Sequence, residues 1–316
     1  MRVEFALEVF TRDGPMPPIV KVLECVAEGR HDWSADPPTL DAAESYFNIH
    51  APKMSATYLE LGRKGLVGAA WQPSSATALV HVMLSDLADV AEDLCRPAVL
   101  VVEDLNSDGF FVHAIAQVFR ADRILEALSQ GWLVIRHAGG EPLVTVAQAD
   151  RCTFRREVRV VALLDSDRWL PQQRTRAHDK ADDLRKSGIL VHVLELREAE
   201  NYVPNRVLSA TIARPRDAQR KLKYVKRLTL VQRGYYDMKY GFRRRNGTIA
   251  VRNEQQELFH SLEEETMRAL AEGFGRNLLS KLKQNCASLT VDDFAKLGPG
   301  VVAELRELLL MINKVV

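Results

Sequence analysis

No run in this chain of 316 residues comes close to the roughly 18 consecutive apolar residues of a membrane-spanning helix, so a membrane partner is not expected. Its four cysteines (Cys25, Cys95, Cys152 and Cys286) are scattered and form no CxxC pair. That fits buried thiols in a reducing cytosol better than a disulfide framework or a zinc site. The eight histidines form neither an HExxH motif nor a clustered ligand set. There is no GxxxxGKS/T phosphate loop, and GGEPLVT and LGPGVV have glycines without its lysine, so both read as turns. The opening MRVEFALEVFTRDG lacks the apolar core of a signal peptide, and a cytoplasmic location is expected. Neither internal repeats nor low-complexity segments occur.

What is present is an ordinary globular composition, 47% apolar and 27% charged, with room for one large domain or two to three smaller ones. A formal net charge of +1 hides an asymmetry: residues 201–250 hold 13 Lys and Arg against 2 Asp and Glu, leaving +11 there and −10 elsewhere. Such a basic block suits either a polyanion partner or a solvated helix face.

Three acidic clusters sit where hydrophobic strands run out: Glu103 after AVLVV, Asp165 and Asp167 after VRVVALL, and Glu198 and Glu200 after ILVHVLEL. The stretches between read as helices, with WLVIRH as a further strand, so strand and helix alternate from Ala98 to about Pro204. Alternation of that kind implies a parallel sheet whose binding crevice lies beyond the carboxyl ends of its strands. Carboxylates gathered there repel one another without a cation, which points to a divalent metal. Residues two apart at a strand end project to one side, so Asp165 and Asp167 are expected to share an ion, and Glu198 and Glu200 to hold a second. Two ions about 4 Å apart serve phosphodiester displacement. Glu103 either caps the next helix, binds metal or moves a proton. Of its neighbours Asp104 and Asp108, one is expected to cap, and Ser107 is a further candidate cap.

Before this core, residues 1–96 read as an α/β region for structure or partner docking. MRVEFALEVF and TALVHVML are its expected strands, PMPP and DWSADPP loops, and LDAAESYFN, SATYLELGRKGLV and SDLADVAEDLC helices. After it, residues 205–316 read as mostly helical. Leu262, Met267, Leu270 and Phe274 fall at helical spacing in SLEEETMRALAEGFGRNLLSKL, and Leu305, Leu308, Leu309 and Ile312 mark an amphipathic terminal helix.

A glutamate closing one apolar strand and DxD closing the next resemble the TOPRIM domain of topoisomerases, primases and overcoming-lysogenization-defect (OLD) nucleases. REAENY is similar to the acidic motif of OLD-type and related defence-associated TOPRIM nucleases. The resemblance spans about residues 97–245 and implies an α/β, Rossmann-like TOPRIM parallel sheet as catalytic core (97–204). It implies that Glu103, Asp165, Asp167 and Glu200 ligate Mg2+ or Mn2+ or manage protons, and that Lys239, in YYDMKYGF, assists the transition state. The function it implies is a metal-dependent endonuclease on DNA or RNA, with DNA favoured, in bacterial antiphage defence. Since the OLD ATPase is missing, a separate ATPase subunit would be its partner, and homo-oligomers are compatible. Lys221, Lys223, Lys226, Arg243, Arg244 and Arg245 would then guide the phosphate backbone. Two departures stand out: Asp104 replaces the glycine after the first glutamate, and the next acid, Asp108, comes five residues on.

Three rivals are weaker. LVVED resembles a receiver-type phosphoacceptor, but Asp165 lies 62 residues beyond Glu103 and no Lys-Pro pair follows the fourth strand. A haloacid-dehalogenase phosphatase would need Thr or Val where Arg168 and Trp169 stand. A non-catalytic scaffold leaves three unpaired acidic clusters unexplained.

Overall fold

Apolar runs buried on both faces form the centre of a parallel sheet, as their composition requires. The computed structural model describes residues 1–71, 78–139, 141–210, 215–243 and 246–316, and is α/β with helices flanking two parallel sheets. The first sheet contains β1 (Arg2–Phe5), β2 (Asp32–Trp33) and β3 (Leu79–Val82) in the order β2-β1-β3. The second contains β4 (Ala98–Val102), β5 (Leu133–His137), β6 (Val160–Leu164) and β7 (Leu190–Val193) in the order β5-β4-β6-β7. Every pairing in both sheets is parallel, for example Leu100 opposite Ile135 and Val161. Among the described residues no helix is long and apolar enough to cross a membrane.

Several local expectations for the first region are corrected. The strand expected over MRVEFALEVF stops at Phe5, and Glu8–Thr11 is helical. Phe5 closes the strand, and the adjacent Val9 and Phe10 are both buried, which one-sided strand alternation does not give. PMPP is not a loop: Met16–Ala27 is a helix with prolines in its first turn, where a missing N–H costs nothing. DWSADPP contains β2, and its Asp36 caps the helix Pro37–His50 by accepting the Thr39 N–H at 2.8 Å. Cys25 and Cys95, distant in sequence, meet with their Sγ atoms 2.7 Å apart.

The two sheets have separate apolar cores and are joined by Arg159. Its buried guanidinium donates to the carbonyls of Leu94 and Arg96 at 2.7 Å, Asp93 at 3.2 Å and Val315 at 2.7 Å. The first three are orphan carbonyls at the end of the helix Leu87–Cys95, where a cation is favoured. Burial lowers the Arg159 pKa to about 9, so the side chain is still charged at neutral pH. Asp93 completes the joint, accepting the backbone N–H groups of Arg155, Arg156 and Glu157.

On one face of the second sheet a continuous core runs from Leu100, Phe111 and Tyr202 through Leu228 and Phe259 to Leu279 and Leu308. The terminal stripe Leu305, Leu308, Leu309 and Ile312 is part of that core. On the other face Val101, Ala162 and Leu164 pack against the helix Arg176–Lys186, with Gly188 in the left-handed region just past its end. The single helix suggested by Leu262, Met267, Leu270 and Phe274 is broken into Glu264–Ala269 and Leu278–Asn285. Backbone contacts explain the break. Phe274 N–H donates to Met238 O at 2.7 Å, and Gly275 N–H to Lys239 O at 3.1 Å. A Cβ on Gly273 would lie 2.3 Å from the Lys239 carbonyl carbon, so the approach depends on glycine.

Candidate metal and acid centre

β4 leads to β5 on one side and pairs with β6 on the other, so the strand order reverses between β4 and β6. Crevices open at such a switch point, beyond the carboxyl ends of the strands. Glu103 follows β4 directly and Asp165 follows β6 directly. The loops after β6 and β7 are stapled together. Asp165 Oδ1 accepts the Ala199 N–H at 2.9 Å, Asp167 N–H donates to Arg197 O at 3.0 Å, and buried Ser166 Oγ donates to Leu196 O at 2.7 Å. The aligned projection expected of Asp165 and Asp167 is therefore corrected. Both lie past the strand, and Asp167 turns into the left-handed region at φ +53°. Aspartate tolerates that conformation better than most residues.

A second frame brings in Lys239. Asn201, fully buried, donates through Nδ2 to Arg233 O at 3.0 Å and Tyr236 O at 2.9 Å, fixing the chain just before Asp237. Asp237 Oδ1 accepts the N–H groups of Lys239 and Tyr240 at 3.1 and 2.7 Å. Lys239 Nζ then stands 3.1 Å from Glu200 Oε1 and 3.3 Å from Glu198 Oε2. Arg197 Nη2 approaches Glu198 Oε1 at 2.9 Å and Asp237 Oδ2 at 3.9 Å.

Of the residues proposed from sequence, Asp165, Glu198, Glu200 and Lys239 thus converge, with Asp167 and Glu103 beside them. Three further members were not assigned to the site from sequence: Asp108, considered there only as a cap or as a departure from the pattern, and Arg197 and Asp237. Asp104 caps the helix Leu105–Val118 by accepting from Asn106 and Ser107, so Ser107 is not the cap. Asp108 is buried, accepts the Asp104 N–H at 2.9 Å, and acts on both Glu103 and Asp165.

The proposed phosphate contacts are not all brought to this centre. Lys221 Nζ is committed to Gly273 O at 2.7 Å and lies over the Phe274 ring. Lys223 and Lys226 line a separate hollow with Leu222 and Arg227. Arg243 lies on the side of the acid centre but pairs with Glu272, while Arg244 and Arg245 lie outside the described residues.

Crowding of like charges has electrostatic consequences. Burial, then Asp167 and Asp108, push the Glu103 carboxyl up to about 7. Burial raises Asp108 to about 6, and burial with Glu198 raises Glu200 to about 7 against the pull of Lys239. Burial, then Asp108, Glu198 and Glu200, hold Asp165 well above the usual carboxylate range. Burial works against charge on Lys239, but Glu198, Glu200 and Asp165 outweigh it and hold the ammonium above its ordinary range.

Among the described residues no three His, Cys, Asp or Glu side chains stand ready as a metal-ligand set. The donors nevertheless fit a hard divalent cation. Glu198 Oε2 and both carboxylate oxygens of Glu200 are buried without a hydrogen-bond partner, Lys239 giving them charge but no aligned bond.

These shifts set a sign for stability against pH. Glu103, Asp108 and Glu200 keep protons in the folded protein that the unfolded chain has already released above about pH 4 to 5. Stability is therefore fully present below that range and lost as pH rises towards about 7. In EDTA the melting temperature is expected to fall between about pH 5 and about pH 8, with millimolar Mg2+ restoring it at the higher pH and having little effect at the lower. A profile that is flat in EDTA and unmoved by Mg2+ would remove the basis for this centre.

No protein-family model, curated protein or solved structure matches this chain, so its own arrangement of side chains carries the functional reading.

Proposed function

We propose that this protein is a divalent-cation-dependent nuclease of TOPRIM type that hydrolyses phosphodiester bonds in nucleic acid. The observation that carries the reading is the meeting of acids from the end of β4 and the loops after β6 and β7 with Lys239 at the sheet's switch point. Asp165, Asp167, Glu198 and Glu200 would hold Mg2+ or Mn2+. Bound there, the ion supplies Lewis-acid charge for the phosphate and favours ionisation of water.

The remaining roles belong to the chain. Glu103, with a pKa of about 7, is suited to accept a proton from the attacking water at neutral pH. Lys239 is held charged by its neighbours and offsets charge building on the phosphate oxygens. Arg197 neutralises Glu198 and keeps that loop in place.

A second reading has its own observation: Lys239 already ion-pairs with Glu198 and Glu200, so the acids are partly balanced without any metal. That favours a non-catalytic nucleic-acid-binding or ATPase-binding scaffold. Incubating the purified protein with plasmid DNA and with total RNA, in Mg2+, Mn2+ or EDTA, separates the two. The nuclease reading expects products in one or both metals and none in EDTA; intact substrates in every lane would leave the scaffold.

A further inference from the structure

Beside the acid centre lies a cleft of about 900 Å3 that meets it at Asp237 and Trp169. We propose that this cleft binds single-stranded nucleic acid, with phosphates on Arg243, Arg252 and Arg276 and a base on the open face of Tyr240. The inference rests on the nuclease reading for which bond is cut, and on the cleft's own construction for what is bound.

The floor is rigid. Trp169 is sandwiched between two guanidinium groups, Arg197 at 3.4 Å and Arg252 at 4.0 Å from the ring centre. Gln255, buried beneath, donates to Trp169 O at 3.0 Å and Tyr235 O at 2.8 Å. Trp169 thus has both faces occupied, and what it does is link the cleft to Glu198 through Arg197. Phe242 is buried against Tyr236 and Phe259. Tyr240 differs: it is 51% exposed, with Arg276 5.5 Å from its ring centre.

The charges point the same way. Arg252 and Arg276 are exposed and form no ion pair among the described residues, whereas Arg243 pairs with Glu272. Acids line the cleft too, but Asp237 is engaged by backbone N–H groups and Arg197, which leaves Glu254 to oppose the arginines. Unpaired arginines next to an exposed aromatic ring are the means by which proteins hold unstacked strands: phosphates take the cations and a base takes the ring. A duplex keeps its bases stacked on one another and has no base face for Tyr240.

The test is fluorescence anisotropy with labelled oligothymidylate, oligouridylate and a DNA duplex of equal length, all in EDTA so that nothing is cut. The proposal expects a single strand to bind about tenfold or more tightly than the duplex at equal salt. Tyr240→Ala should weaken that binding about tenfold, with Tyr240→Phe restoring it. Arg252→Ala with Arg276→Ala should reduce the slope of log affinity against log salt by about 1.4, two phosphate contacts at ~0.7 each. The two oligonucleotides distinguish a DNA from an RNA strand. Equal binding of duplex and single strands, or an unchanged Tyr240→Ala protein, overturns the proposal even if the protein cuts duplex DNA. Tight strand binding lost in Tyr240→Ala sustains it even if no metal gives cleavage, in which case the nuclease reading is the one that fails.

Discussion

Replacing Asp165 and Asp167 together with asparagine is expected to lower cleavage by at least ~10³-fold while raising the melting temperature by about 2 °C or more. The opposite signs follow from the geometry. Asp165 faces Asp108, Glu198 and Glu200 from a buried position, and Asp167 adds charge beside Glu103 and Glu198. Removing two carboxyl groups removes the cost of either keeping them protonated or ionising them beside their neighbours in the metal-free protein. Asparagine retains the Oδ1 that accepts the Ala199 N–H, so the staple between the two loops persists. What it removes is the anionic oxygen that a hard cation needs. Cleavage rates and melting curves on the same two preparations check both halves. An active double variant would place the metal elsewhere, and an inactive one that melts earlier would make the loss structural. The pairing of lost activity with gained stability is what a functional site, as opposed to a packing site, gives.

How much of this was legible in sequence depends on the range of the interaction that fixes each residue. Glu103, Asp165 and Asp167 were legible because an apolar run that ends in an acid is a local signal. Asp108 was considered only as a cap or as a departure from the pattern, though a signal for a site role existed: it lies three and seven residues before Phe111 and Ile115, on the buried side of the helix, where an unpaired acid is costly. The expectation that residues two apart share a side failed at Asp167, because it holds only inside a strand and β6 had ended. The contacts that hold Lys239 were out of reach altogether. They depend on Asn201 reaching Tyr236 O and on Gly273 letting two backbones touch, each a pairing of distant segments. The same contacts broke a helix that periodicity alone had made continuous. Lys221 looked like one of several equivalent cations, and only the fold shows that it serves Gly273 O.

Lys239→Met separates the two functional readings, because one gives the lysine's charge to the transition state and the other only to the acids beside it. Met keeps most of the apolar stem and removes the charge, leaving Glu198, Glu200 and Asp165 to repel one another. Breaking a fully buried pair costs about 3–5 kcal/mol; with the Lys239 side chain 25% exposed, about 2 kcal/mol is the fitting expectation for the metal-free protein. That loss is expected to be larger at about pH 8 than at about pH 6, since protonation of Glu200 at the lower pH removes part of the repulsion. For a nuclease, Mg2+ should restore most of the stability by taking over the balancing charge, yet cleavage should stay about 10²- to 10³-fold below that of the unaltered protein, because the metal does not replace the cation at the transition state. Lys239→Arg should recover part of the rate. For a scaffold in which Lys239 only neutralises acids, Lys239→Met would lose the same stability, Mg2+ would not restore it, and strand binding in the Trp169 cleft would be unaffected. Melting curves with and without Mg2+, alongside single-turnover cleavage, distinguish these cases. Unaltered cleavage by Lys239→Met would confine the lysine to holding the acids together.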